Sequence, residues 1–356
     1  MPSSDAPHRP VTVCTRGSAL ALAQADGVIR ELRRQFPERH FERLVIRTTG
    51  DRLQTSQAPD ASESVPRGLF TKELEVALLD GTADIAVHSL KDLPTALPEG
   101  LVLAATLPRA DPREVLLYRD VAHPVAHPEG GAAPDWRPGV REPYFGKPGA
   151  SIRALPPGAV VATSSPRRAA QLRALRGDLA VVPIRGNVGT RLEKLRRDLT
   201  LDATLLAAAG LVRLQFDLGP RGVLRLDPRL PADVRETLAA PPAGLLACVL
   251  DPEEMLPAVG QGAVALEIRA GDPGIAPIVA SLNHFNTFQS VTAERAFLAA
   301  MGGGCQSPVA AHARILGHQL ELRAASFHQD PPRVASARRP VREAIRLGEE
   351  VAAVLR

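Results

Sequence analysis

The chain has 356 residues, 45% of them hydrophobic, which is enough for two or three domains with real cores even though aromatics reach only 3%. Net charge is +4, and of the 43 basic residues only Lys72, Lys91, Lys147 and Lys194 are lysines, so 39 are arginines. With one Trp and two Tyr the chain lacks the stacking platforms of a single-strand binder, so no nucleic-acid partner is expected. Arg grips carboxylates through a planar fork, which points instead to an anionic small molecule. Cys14, Cys248 and Cys305 form an odd set without a C-x-x-C, against a disulfide framework or zinc site and for a reducing compartment. Residues 1–10 lack the apolar core of a signal peptide, and no apolar run reaches membrane-spanning length. A soluble, cytoplasmic monomer with no membrane partner is expected.

In chain order, Val11–Val13 reads as a strand, and Ser18 is placed to cap a helix whose apolar residues run from Leu20 to Phe36 and which Pro37 closes. Phe41–Arg47 reads as a second strand, and residues 50–67 as a long polar loop of the kind that forms lids. Phe70, Leu74, Ala77 and Leu78 mark a helix ended by Gly81. D-I-A-V-H-S-L-K-D-L-P (84–94) then begins as a buried strand and turns polar through His88, Ser89, Lys91 and Asp92. Leu101–Thr106 adds a strand, and the alternation of strand and helix implies a mainly parallel sheet. Residues 120–150, rich in Pro and Gly, read as an irregular insertion.

Alternation resumes with strands at Val160–Ala162, Val181–Ile184 and Ala203–Ala207, with a helix opening at Ser164 or Ser165 and with R-G-N-V-G-T-R-L-E-K-L leading into another, which makes a second βαβαβ unit. Residues 219–256 carry no clear period. P-A-V-G-Q-G (257–262) suits a chain crossing between domains, and Ala263–Ile268 reads as a strand. A helix at Val291–Met301, alternating segments at 310–315 and 319–324, and a helix at Val341–Leu355 suggest a small α+β tail.

The strand ends share a property. Thr15, Arg16 and Ser18 follow the first strand, Lys91 and Asp92 the third. Ser164, Ser165, Arg167 and Arg168 follow Ala162, and Arg185, Asn187 and Arg191 follow Ile184. Ligands of open α/β sheets bind at such ends, and helix N-termini favour anions there. Taken singly, each group could pair with a local acid or act only as a cap. Four such ends facing one crevice imply a ligand with several negative groups. No Walker motif or G-x-G-x-x-G follows a strand, so a nucleotide is a weak candidate. The glycines before Cys305 give that thiol little to pack against, whereas Cys14 and Cys248 sit in apolar contexts and read as structural.

T-R-G-S-A-L-A-L-A-Q, G-L-F-T-K-E-L-E, A-V-H-S-L-K-D-L-P, T-S-S-P-R-R-A-A-Q-L, R-G-N-V-G-T-R-L-E-K-L, A-A-A-G-L-V-R-L, A-V-G-Q-G-A-V-A-L-E, T-A-E-R-A-F-L and G-G-G-C-Q-S-P stand in this order, and together the chain resembles the hydroxymethylbilane synthase (porphobilinogen deaminase) family. The likeness is weaker in 52–66, 120–150 and 219–256. It implies an enzyme that joins four porphobilinogen molecules head to tail with release of ammonia, primed by a dipyrromethane cofactor attached through Cys305. It implies an α/β fold of three domains: two similar βαβ domains like type II periplasmic binding proteins, at 1–107 plus 263–280 and at 113–256, and a small α+β domain at 285–356.

Carried onto this sequence, the resemblance makes Asp92 catalytic. It gives Cys305, Lys91, Asp51, Ser165, Arg167, Arg168 and Gly189 to the cofactor. It gives Arg16, Ser18, Gln24, Arg185, Asn187, Arg191, Arg213 and Gln261 to porphobilinogen and the growing polypyrrole chain. Departures are Pro166 inside S-S-x-R-R, Arg67 where Lys is common, and Gly302 where a charged residue is frequent. Two competing expectations are a non-catalytic binding protein for a polyanionic small molecule and a cysteine hydrolase using Cys305 with His88 or His312.

Overall fold

The computed structural model of the chain describes residues 9–50, 70–123, 143–304 and 307–356. Asp51, Arg67, Cys305, most of the 50–67 loop and the centre of the 120–150 insertion lie outside the described residues.

The first sheet has five strands in the order β2-β1-β3-β13-β4. β1 (Val11–Arg16), β2 (Phe41–Ile46) and β3 (Ile85–Ser89) are parallel neighbours. β13 (Val264–Arg269) returns from far down the chain and runs antiparallel between β3 and β4 (Leu101–Thr106). Ser18 caps the helix Ala19–Gln35 by accepting from the Ala21 N–H, and the buried face of that helix (Ala25, Val28, Ile29, Leu32) packs on Val13, Ile85 and Leu266. The helix Lys72–Leu79 covers the other face with Leu74 and Leu78.

The second sheet runs β12-β5-β9-β7-β8. Its strands are β5 (Glu114–Asp120), β7 (Val160–Ala162), β8 (Ala180–Val182), β9 (Ala203–Ala207) and β12 (Leu245–Val249), with the short β6 (Phe145–Gly146) paired to β5. β7 is parallel to β8 and β9, whereas β5 is antiparallel to β9 and β12. Both sheets are therefore mainly parallel with one reversed strand on the main path, β13 in the first and β5 in the second, each entering from a segment that crosses between the lobes. β10 (Phe216–Leu218) and β11 (Leu224–Leu226) form a separate hairpin.

The tail is a three-stranded antiparallel sheet of β14 (Val309–Leu316), β15 (Gln319–Ser326) and β16 (Arg333–Pro340). The helices Phe285–Ala300 and Ala344–Leu355 pack on it through Phe297, Leu347 and Val351. Glu294 ties this unit to both crossovers. It is fully buried and accepts from Arg109 (2.6 and 3.0 Å), the Gly260 N–H (2.7 Å) and the Ala313 N–H (2.8 Å). Among the described residues no helix is long and apolar enough to cross a membrane.

Candidate active site

Apolar β3 ends at Ser89, and one 3-10 turn (Leu90–Asp92) follows it. The turn is anchored by Leu90, which is buried and donates its N–H to the Ala263 carbonyl (3.1 Å). Lys91 and Asp92 are thereby presented half-buried at the carboxyl end of a central strand. A pocket of about 50 Å³ opens beside them, lined by Arg16, Ser18, Gln24, Phe70, His88, Ser89 and Asp92 among others. Arg16 lies over the Phe70 ring at 4.1 Å, a cation–π contact that fixes its direction. The Ser89 hydroxyl stands 2.9 Å from Gln24 Nε2 and 3.1 Å from its Oε1.

The second lobe brings its cations to the same place. Ser165 caps the helix Pro166–Leu175, with Pro166 in the first turn where its missing N–H costs nothing, so Arg167 and Arg168 emerge at the helix start. Both are buried and both pair with Glu114, Arg167 at 2.6 Å and Arg168 at 2.7 Å. Burial would push the Glu114 carboxyl up, but the Arg168 and Arg167 guanidiniums outweigh it and hold it at about 2. Burial pushes Lys91 down to about 8, with Asp92 and Glu114 pulling it back up and Arg168 and Arg167 pressing it lower. Arg191 falls to about 10 through burial and the neighbouring Arg168, against the pull of Asp92. Burial alone takes Arg213 to about 10, and its guanidinium reaches the Gly262 carbonyl at 2.6 Å.

Asp92 itself has no side-chain hydrogen bond or ion pair among the described residues; Lys91 and Arg191 act on it through space. Among the described residues around it, Lys91, Arg167, Arg168 and Arg191 face two carboxylates, Asp92 and Glu114. A cleft short of anions in this way suits a ligand carrying several carboxylates.

Other residues singled out in the sequence are placed differently. Asn187 caps the helix Val188–Arg197, its Oδ1 accepting from the Thr190 N–H (2.9 Å) and hydroxyl (3.0 Å). Gly189 and Arg185 are exposed at that helix start. Gln261 is fully buried and donates to the Pro112 carbonyl (2.7 Å) and Glu114 (2.9 Å), so its amide faces the crossovers. His88 is buried with its Nε2 2.9 Å from Glu267 Oε2, so its ring is already engaged by a buried carboxylate. Cys14 is fully buried and its thiol is pushed up to about 12, chiefly by burial, as befits a structural cysteine. Glu114, Phe70 and Glu267 were not foreseen; a lone carboxylate at the head of the apolar run V-L-L was the available signal for Glu114.

Residues 11–276 match the family model described as porphobilinogen deaminase, dipyromethane cofactor binding domain, and residues 288–356 match that of the porphobilinogen deaminase C-terminal domain. The chain belongs to the porphobilinogen deaminase family. As a member it is a transferase. It is 38% identical to the porphobilinogen deaminase of Paracoccus denitrificans over 98% of this chain and 95% of that one. It is 41% identical to that of Desulforudis audaxviator (89% and 84%) and 41% identical to that of Thermus thermophilus (86% and 81%). Among solved structures, the periplasmic aliphatic sulphonate binding protein SsuA from Escherichia coli aligns over 83% of this chain and 71% of its own at 12% identity. Its TM-score is 0.35, too low to carry an argument.

Proposed function

We propose that the chain is a hydroxymethylbilane synthase, which condenses four porphobilinogen molecules head to tail, loses one ammonia with each, and yields linear hydroxymethylbilane. One observation carries most of this reading: Asp92, a carboxylate with no direct side-chain partner among the described residues, stands amid buried and half-buried cations that outnumber the described carboxylates nearby. Every pyrrole ring of substrate and product bears an acetate and a propionate, so each added ring brings two anions to a cleft rich in cations.

A dipyrromethane joined by a thioether to Cys305 supplies, when bound, the ring carbon from which the product grows. The donor set suits it, because Lys91 and Arg191 near Asp92 are held below their ordinary range by burial and gain from any carboxylate brought to them. Lys91, Arg167 and Arg168, with Asp51, Ser165 and Gly189, are assigned to that group. Arg16, Arg185, Arg191 and Arg213 are assigned to carboxylates of the incoming ring and growing chain, with Ser18 and Gln24 as polar supports. Asn187 and Gln261 contribute indirectly, one by capping the helix that presents Arg191 and the other by holding Glu114.

Asp92 carries the chemistry. When the aminomethyl C–N bond breaks, ammonia leaves with the electron pair and positive charge develops on the substrate's pyrrole nitrogen. A carboxylate about 4 Å away at an effective dielectric near 20 is worth about 4 kcal/mol there, roughly a thousandfold in rate. The same carboxylate accepts the proton lost when the next ring couples, and returns it to solvent.

Intact mass of the purified chain tests the reading. An adduct of two pyrrole units is expected on the wild type and absent from Cys305→Ala, together with ammonia release from porphobilinogen by the wild type alone. A mature chain without the adduct that releases no ammonia would sink the proposal.

A further inference from the structure

Glu114 opens β5 at the point where the chain enters the second lobe. Its side chain has no solvent exposure. Oε1 accepts from Arg167 Nη2 (2.6 Å) and Gln261 Nε2 (2.9 Å), and Oε2 from Arg168 Nε (3.0 Å) and Nη2 (2.7 Å). A carboxylate offers about four lone-pair sites, so it is saturated.

The partners come from separate parts of the fold. Arg167 and Arg168 start the helix Pro166–Leu175, and Gln261 lies in the return crossover. Gln261 uses its second N–H on the Pro112 carbonyl in the outgoing crossover, which leaves its Oε1 a buried acceptor with no partner among the described residues. Arg167 continues to the Leu256 carbonyl (2.6 Å), which Gln171 also grips while accepting the Leu256 N–H (2.8 Å). Arg168 continues to the Leu205 carbonyl (2.9 Å) on β9. One carboxylate thus connects both crossovers to the helix that bears the arginine pair.

Its charge matters as much as its bonds. Two guanidiniums against one carboxylate leave one positive charge over, and Lys91 lies within electrostatic reach of all three groups and of Asp92. Without Glu114 the two guanidiniums would face each other uncompensated in a buried site, an arrangement that drives rotation outward or hydration. With a second carboxylate in its place, the surplus that attracts an anion would vanish.

We propose that Glu114 is a positioning residue for the condensation. It fixes the direction of Arg167 and Arg168 toward the carboxylates of the bound chain and sets the cleft's positive surplus at the hinge between the lobes. The inference rests on the deaminase reading, and it adds a group that does not touch the substrate.

The test compares Glu114→Gln, which removes the charge at nearly constant shape, with Glu114→Asp, which keeps the charge on a shorter stem. Three quantities are measured: the fraction of purified protein carrying the two-pyrrole adduct, KM and kcat for porphobilinogen, and the pH profile of kcat/KM. E114Q should carry less adduct, show a KM raised about tenfold (about 1.4 kcal/mol) with a smaller change in kcat, and lose kcat/KM at a lower pH than wild type, because Lys91 has lost an attracting charge. E114D should restore adduct occupancy and leave the pH profile in place while its KM rises severalfold. E114Q with wild-type occupancy, KM and pH profile overturns the inference. If E114Q does not fold, E114D decides alone, and a wild-type KM there overturns it equally. A wild type without adduct or ammonia release would instead remove the underlying deaminase reading, so the two failures are distinguishable.

Discussion

Replacing Lys91 with Arg, followed across pH, probes the electrostatics of the cleft most directly. Burial pushes the Lys91 ammonium from 10.5 down to about 8, with Asp92 and Glu114 opposing and Arg168 and Arg167 assisting the shift. The sign for stability follows from proton counts. Between pH 8 and 10.5 the unfolded lysine is charged and the folded one is not, so the unfolded state binds more protons and stability rises with pH across that window. The full effect is about 3 kcal/mol in favour of the fold above pH 10.5, lost as pH falls through 8. Catalysis has the opposite sign, because the cofactor carboxylate proposed to lie at Lys91 needs the ammonium. kcat/KM should therefore fall about tenfold per unit above pH 8, in a range where this lysine is making the fold more stable. Lys91→Arg keeps its charge throughout and should lose the limb near 8. The assay is initial-rate ammonia release from pH 6 to 10, with thermal denaturation at each pH. A wild-type limb above pH 9.5, or the same limb near 8 in Lys91→Arg, would refute the assignment.

Asp92→Asn should keep the fold and the covalent adduct but lose turnover by roughly a thousandfold, the worth of about 4 kcal/mol at the pyrrole nitrogen; near-normal turnover would remove Asp92 from its role. Gly303→Ala should lower adduct occupancy while leaving the melting temperature nearly unchanged. A Cβ there would lie 2.4 Å from the Ser307 hydroxyl, which holds the Gly304 N–H at 3.0 Å beside Cys305; unchanged occupancy by mass would count against that anchoring. Gly348→Ala should destabilise the tail by about 1–3 kcal/mol, in the range of overpacked cores. A Cβ there would meet the Ala293 carbonyl at 2.4 Å and the Phe297 nitrogen at 2.6 Å, and an unaltered denaturation midpoint would show that the helices can part at little cost.

Local chemistry was readable from the sequence where it is governed by neighbours along the chain. Ser18 and Ser165 cap the helices expected of them, and Asp92 stands at the end of its strand. The strand Glu114–Asp120 went unassigned because it is buried at all seven positions, so it shows no alternation, and it carries charged residues that interrupt its apolar run. One of these, Arg119, donates to carbonyls some eighty residues on, including those of Leu195 and Leu201. The edge strand Arg333–Pro340 was missed for the reverse reason: R-V-A-S-A-R-R-P is too polar to read as a strand until its pairing with Gln319–Ser326 is seen. The helix Phe285–Ala300 begins six residues before its expected start, because a histidine, His284, serves as its cap. The partners within the site were hidden by distance in sequence. Nothing near Arg167 shows that a carboxylate 53 residues earlier claims it, and nothing near His88 shows Glu267, 179 residues later.

The antiparallel insertion of Val264–Arg269 between Ile85–Ser89 and Leu101–Thr106 also constrains the order in which the molecule can be made. Leu101–Thr106 has no sheet neighbour, and Ile85–Ser89 has only Val11–Arg16, until more than two-thirds of the chain has left the ribosome, so the first lobe waits, with an open sheet edge, while the second is synthesised. The second sheet draws its strands from the intervening stretch alone, so it can close first and bring the two crossovers together. Such non-local pairing is slow and exposes unpaired edges. The site at the end of Ile85–Ser89 would then be among the last features to form, and a nascent chain truncated before residue 264 would carry Asp92 on an unfinished sheet.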